Sequence, residues 1–186
     1  MEWNSGVPLS WRDLEQVLSG NYPSELPALA PGGRGGENNS VRYYSSQPFA
    51  ELHAASSYNF LRGAASPTEM VHAAITCGLS GLALLDRDGF YGTVEFAQAA
   101  AGTGLATVFG AELSLPEAPL AVLCKEPQGY QRLSQVIATA RMAGDKDTTC
   151  YPKLCDIAAE LAGSCYILAG PEWYPQIDTL KETFGE

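Results

Sequence analysis

The chain has 186 residues, 46% of them hydrophobic, enough for one sizeable core and too few for two full domains. Eleven basic against 21 acidic residues leave a formal charge of -10. That charge repels phosphate backbones, so strong nucleic-acid binding by this chain is excluded, and the acidic surface reads first as a solubility device. No run approaches the roughly 18 to 20 apolar residues that span a bilayer, and the opening Met1-Glu2-Trp3-Asn4 lacks the basic and apolar regions of a signal peptide. A cytoplasmic protein without membrane contact is expected.

A cap residue, Ser10, stands three positions before Asp13, and Trp11, Leu14 and Leu18 then share one helical face before Gly20. This predicts a short leader helix within residues 1–20. Residues 21–48 carry Pro23, Pro27, Pro31 and the glycines 32, 33, 35 and 36, which break both periodicities and predict a linker. The leader's Trp3, Trp11, Leu14 and Leu18 would cover an apolar patch of the following domain or dock on another protein.

From residue 49 to 186 the chain alternates. Residues 49–53 form a strand-like run, and Ser66-Pro67-Thr68-Glu69 gives a capping box with proline at the first helical position, ahead of Met70, Val71, Ala74 and Ile75. Strands follow at 81–85, 105–109, 120–124 and 165–169. Between and after them, helices are expected at 93–101, around Tyr130 to Ala140, at 154–161 and at 175–184. Such alternation predicts a parallel sheet, open or rolled into a barrel.

The five cysteines, Cys77, Cys124, Cys150, Cys155 and Cys165, contain no Cys-x-x-Cys pair. They read as reduced thiols, and those within the predicted elements (Cys77, Cys124, Cys165) as small buried hydrophobes.

Parallel α/β sheets keep their working residues at the carboxyl ends of strands. Three such ends are polar here: Glu51 and His53 after the first, Asp86-Arg87-Asp88 after the second, and Glu112 after the third. An imidazole and carboxylates on neighbouring strand ends suit a divalent metal, although such carboxylates are also common helix caps. The chain has two histidines only, and His72 falls on a helix where a solvated or packing role fits better than ligation.

Residues 49–115, reading FAELHAASSYNFLRGAASPTEMVHAA…GLALLDRDGFYGTVEFAQAA…TVFGAELSL, resemble the polymerase-and-histidinol-phosphatase (PHP) domain at the start of C-family bacterial DNA polymerases. The preceding WNSGVPLSWRDLEQVLSG and its Gly/Pro linker resemble the leader of the error-prone branch. The resemblance implies a distorted (β/α)7 barrel, incomplete within these residues. It also implies metal motifs His-x-His, Asp-His-Asp and a later Glu. Here they stand as His53-Ala54-Ala55, Asp86-Arg87-Asp88 and Glu112, so two imidazoles are replaced by a donor-less methyl and a fixed cation.

The implied site is a degenerate remnant, His53, Asp86, Asp88 and Glu112, with Ala55 and Arg87 at the lost positions and Arg87 expected to neutralise the carboxylates. No metal and no catalytic residue are expected in it. The alternative is zinc or manganese bound there for phosphoesterase or 3′-to-5′ exonuclease chemistry. For the parent chain the resemblance implies magnesium-assisted DNA synthesis across damage, in DNA repair and induced mutagenesis. Its implied partners are the remainder of the polymerase, DNA through that remainder, and mutasome proteins or the sliding clamp.

Overall fold

The computed structural model describes residues 48–146 and 148–185. The leader helix expected over 1–20, and all but the last position of the linker expected over 21–48, lie outside them. Among the described residues no helix is long and apolar enough to cross a membrane.

Five strands form one sheet in the order β1 (Ala50–Ala54), β2 (Gly81–Arg87), β3 (Ala106–Ser114), β4 (Pro119–Cys124), β5 (Cys165–Leu168). Between β1 and β2 runs α1 (Pro67–Thr76), and between β2 and β3 runs α2 (Thr93–Ala100). Then α3 (Pro127–Ala143) and α4 (Leu154–Leu161) join β4 to β5, and a 3-10 turn (Pro171–Gln176) leads into α5 (Ile177–Phe184). The capping box is formed as the sequence predicts: the Ser66 hydroxyl accepts from the Glu69 amide, and the Glu69 carboxylate accepts from the Ser66 amide at 2.8 Å.

The expectation of a parallel sheet holds for half of it. β1, β2 and β3 are parallel, whereas β3–β4 and β4–β5 are antiparallel. The physical reason is loop length: between Ser114 and Pro119 only residues 115–118 remain, far short of the dozen or so that a parallel crossover needs. β3 also runs five residues past the predicted 105–109, continuing through Gly110 to Ser114. Gly110 belongs there because a Cβ at that position would sit 2.2 Å from the Val122 carbonyl oxygen of β4, so glycine is what allows the two strands to pair.

The sheet's two faces differ. One is covered by helices: Leu82 and Leu84 pack on Val71, Ala74, Phe96 and Ala100, while Leu113, Leu120 and Val122 pack on Leu133, Val136, Ile157 and the fully buried Trp173. The indole of Trp173 donates to the Pro119 carbonyl oxygen at 2.7 Å, satisfying its one polar atom in the core. Each of the buried Leu, Val, Ile and Phe side chains among these contributes about 1.5–3 kcal/mol by leaving water. The other face carries a smaller set, Ala83, Leu85, Ala121 and Leu123 with Val108 and Leu168 packed on them, and among the described residues no helix residue joins that cluster. It is the concave side of the curled sheet.

Candidate functional site

Side chains alternate across a strand with a period of two. On β2 the buried even positions Leu82 and Leu84 face the helices, and the buried Asp86 shares their parity. Ala83 and Leu85 face the concave side, and Arg87 follows them. On β3, Glu112 has the parity of Val108 and stands in register with Arg87. The strand-end residues therefore divide between two faces rather than converging on one point.

Asp86 is 1% exposed and forms a closed polar knot with the loop after β1 and the start of α2. Its Oδ1 accepts from the Ser56 amide and hydroxyl, both at 2.9 Å. Its Oδ2 accepts from the same hydroxyl at 3.0 Å and from the Gly92 amide at 3.2 Å. Gly92 permits the approach, since a Cβ there would lie 2.9 Å from Pro67 Cγ and 3.0 Å from Asp86 Oδ2.

Asp88 adopts φ 50°, a left-handed conformation that aspartate tolerates better than most residues. Its amide donates to the Glu112 carbonyl oxygen at 2.9 Å. Its carboxylate accepts from the Ser114 amide (2.8 Å), the Ser114 hydroxyl (2.6 Å) and the Tyr151 hydroxyl (2.6 Å). Its carbonyl oxygen accepts from Arg141 Nη2 at 3.2 Å, and the same nitrogen donates to the Tyr91 hydroxyl at 2.6 Å. Burial, and then the Asp88 carboxylate beside it, push the Tyr151 hydroxyl far above its ordinary range, because the phenolate would lose water and face a like charge.

On the concave side, His53 Nε2 lies 3.1 Å from Glu112 Oε2, and Arg62 Nη1 lies 3.5 Å from Glu112 Oε1. Arg87 reaches Asp88 Oδ2 at 3.8 Å, the one of its three expected carboxylates within ion-pair distance. The cation against Glu112 is Arg62 instead. Sequence reasoning missed Arg62 because it lies in the loop after β1, outside any motif, and it missed Ser56, Ser114 and Tyr151 as the partners of the aspartates. His72 is exposed on α1, as expected. Of the cysteines expected inside, Cys77 is exposed at the end of α1, Cys124 is half-buried and Cys165 is buried. Among the described residues, no group of three or more His, Cys, Asp or Glu side chains is placed to hold a metal ion.

The family model for the PHP domain matches residues 51–171. The chain is 54% identical over 188 residues to a protein of Corynebacterium diphtheriae named error-prone DNA polymerase, a match covering 99% of this chain and 18% of that protein. A Mycobacterium tuberculosis protein of the same name is 42% identical, over 76% of this chain and 15% of its own length. The chain thus spans about a fifth of the curated relatives it matches. With the solved structure of an amidohydrolase from Chromobacterium violaceum it shares 28% identity at a TM-score of 0.39, over 50% of this chain and 34% of that one.

Proposed function

This chain belongs to the PHP domain family, and from that membership we propose that it is the PHP domain of an error-prone DNA polymerase, acting as a structural and interaction module without hydrolytic chemistry of its own. The similarity along 99% of the chain to a much longer protein of that name supports the first part. In this reading the longer chain copies damaged DNA in the cytoplasm by magnesium-assisted nucleotidyl transfer at carboxylates outside these residues. This domain then packs against the remainder of that chain, which also carries the contacts to DNA, sliding clamp and mutasome proteins.

The second part rests on one observation: both aspartates of the remnant site are already held by protein donors, and Glu112 stands against His53 and Arg62, its buried Oε1 meeting the Arg62 guanidinium at 3.5 Å without a hydrogen bond. Asp86 faces the helix layer with both oxygens accepting hydrogen bonds, and Asp88 is held by Ser114 and Tyr151. What remains on the concave face is His53 and Glu112, with Arg62 against the carboxylate and Arg87 in register with it. A divalent ion would have to displace one guanidinium and sit beside another, with no imidazole from residue 55 to compensate. The residues present do not fit a metal centre.

The test uses the full polymerase chain with its polymerase carboxylates substituted, assayed for bound metal and for manganese- or zinc-dependent DNA cleavage. Ala55→His combined with Arg87→His is assayed beside it. The expected result is no stoichiometric ion and no cleavage in the parent. A stoichiometric ion lost on His53→Ala or Glu112→Ala, or metal-dependent cleavage, overturns the reading in favour of a phosphoesterase or exonuclease.

A further inference from the structure

Cys124 ends β4 and Cys165 begins β5, and the antiparallel register sets them directly opposite each other. The adjoining pair is Lys125 and Ser164, joined by a hydrogen bond from the Lys125 amide to the Ser164 carbonyl oxygen at 3.1 Å. In an antiparallel ladder hydrogen-bonded pairs alternate with non-bonded ones, so Cys124 and Cys165 occupy a non-hydrogen-bonded site. There the Cα atoms lie about 4.5 Å apart and the side chains are closest. That spacing falls within the roughly 4.4–6.8 Å that a disulfide spans. Both sulfurs sit on the helix-covered face, in the core cluster that contains Leu133 and Val136.

We propose that Cys124 and Cys165 form an oxidant-sensitive dithiol that closes to a cross-strand disulfide. The two thiols have unequal roles. Cys165 is lowered to about 7, first by the neighbouring Cys124 thiol and, against the opposing effect of burial, by the Ser164 hydroxyl 3.9 Å from its sulfur and the charges of Lys125 and Arg132. The contact between the two thiols pushes Cys124 up. Cys165 therefore supplies the thiolate and Cys124 resolves. The Gly129 carbonyl oxygen, 3.7 Å from the Cys165 sulfur, accepts from the thiol in its neutral state.

With a hydroperoxide as oxidant, the Cys165 thiolate attacks one peroxide oxygen. An S–O bond forms, the O–O bond breaks, and the departing oxide is protonated to water or an alcohol. The Cys124 sulfur then attacks the Cys165 sulfenic acid: the S–S bond forms, the S–O bond breaks, and hydroxide leaves with the Cys124 proton as water. Two electrons pass from the thiols to the peroxide. In a reducing compartment such a bond is transient and marks oxidative stress rather than permanent architecture. Closing it fastens β5 to β4, the only strand it pairs with among the described residues.

The test treats the full chain with hydrogen peroxide, alkylates the remaining thiols, and maps tryptic peptides by mass spectrometry. Because Cys155 shares a tryptic peptide with Cys165, the experiment is repeated in Cys155→Ser. The expected product is a Cys124–Cys165 link, two hydrogens lighter than the separate peptides, reversed by dithiothreitol and forming faster as pH rises through about 7. In Cys124→Ser the sulfenic acid on Cys165 persists and is trapped by a dimedone probe. Oxidation confined to the exposed Cys77, Cys150 and Cys155, or a link that joins Cys155 instead, overturns the proposal. These outcomes do not depend on whether the domain binds metal or belongs to a polymerase.

Discussion

The two faces of β2 and β3 treat acidic residues in opposite ways. On the helix side Asp86 is 1% exposed and collects only neutral hydrogen-bond donors, whereas on the concave side Glu112 is flanked by His53 and Arg62 side chains that are 51% and 54% exposed. The first arrangement is rigid and dry, whereas the second sets exposed, movable side chains around a carboxylate whose Oε1 is itself buried. The difference teaches that neighbouring carboxylates in a strand-end motif need not share a task. Asp86 and Asp88 bind loops and helices to the sheet, and Glu112 alone remains with the imidazole on the face where chemistry could occur.

The largest expected effect breaks this contrast at its buried end. Asp86→Ala leaves the Ser56 amide, Ser56 hydroxyl and Gly92 amide without an acceptor in a closed space, and should cost about 3–5 kcal/mol. Asp86→Asn should rescue only partly, since one carboxylate oxygen becomes an amide donor facing donors. Urea unfolding of parent and variants measures both. A loss below about 1 kcal/mol for Asp86→Ala would show that the knot contributes no more than a surface contact.

Much of this arrangement was legible in the sequence and some of it could not be. The helix over 154–161 and its neighbouring strand stand where apolar spacing puts them, and the Ser66 capping box formed as written. The extension of β3 was hidden by Gly110, which reads as a break until the close approach of β4 explains it. The antiparallel return was hidden with it, because the connection is only four residues long once β3 is known to reach Ser114. Which face Asp86 occupies follows from strand parity once β2 is known to run through Arg87. Arg62 and Tyr151 reach the site from irregular segments, where sequence spacing fixes no direction.

A middle-sized effect is expected at Tyr151, whose hydroxyl joins the segment before α4 to Asp88. Losing a hydrogen bond to a carboxylate, Tyr151→Phe should cost about 1.5–3 kcal/mol at neutral pH. The pH dependence has a definite sign. The folded chain holds the Tyr151 proton more firmly than the unfolded chain, where tyrosine ionises near pH 10. The contribution is thus complete below about pH 10 and declines above it, as the unfolded state releases a proton that the folded state keeps. Denaturation curves from pH 8 to 11 should converge for parent and Tyr151→Phe as pH rises. Parallel curves would mean that Tyr151 titrates alike in both states.

The smallest effect belongs to the concave face and sharpens the comparison from its other end. Arg62 and Glu112 are 3.5 Å apart, with Arg62 more than half exposed and Glu112 15% exposed. Water and salt screen such a pair, so a double-mutant cycle of Arg62→Ala and Glu112→Gln should return a coupling of about 0.2–1 kcal/mol. It should shrink further as ionic strength is raised from 0.05 to 0.5 M, where the screening length falls well below 10 Å. A coupling above about 2 kcal/mol that ignores salt would place this pair with the Asp86 knot as a fixed part of the framework. It would also erase the distinction between a dry structural face and one whose cations are exposed and movable.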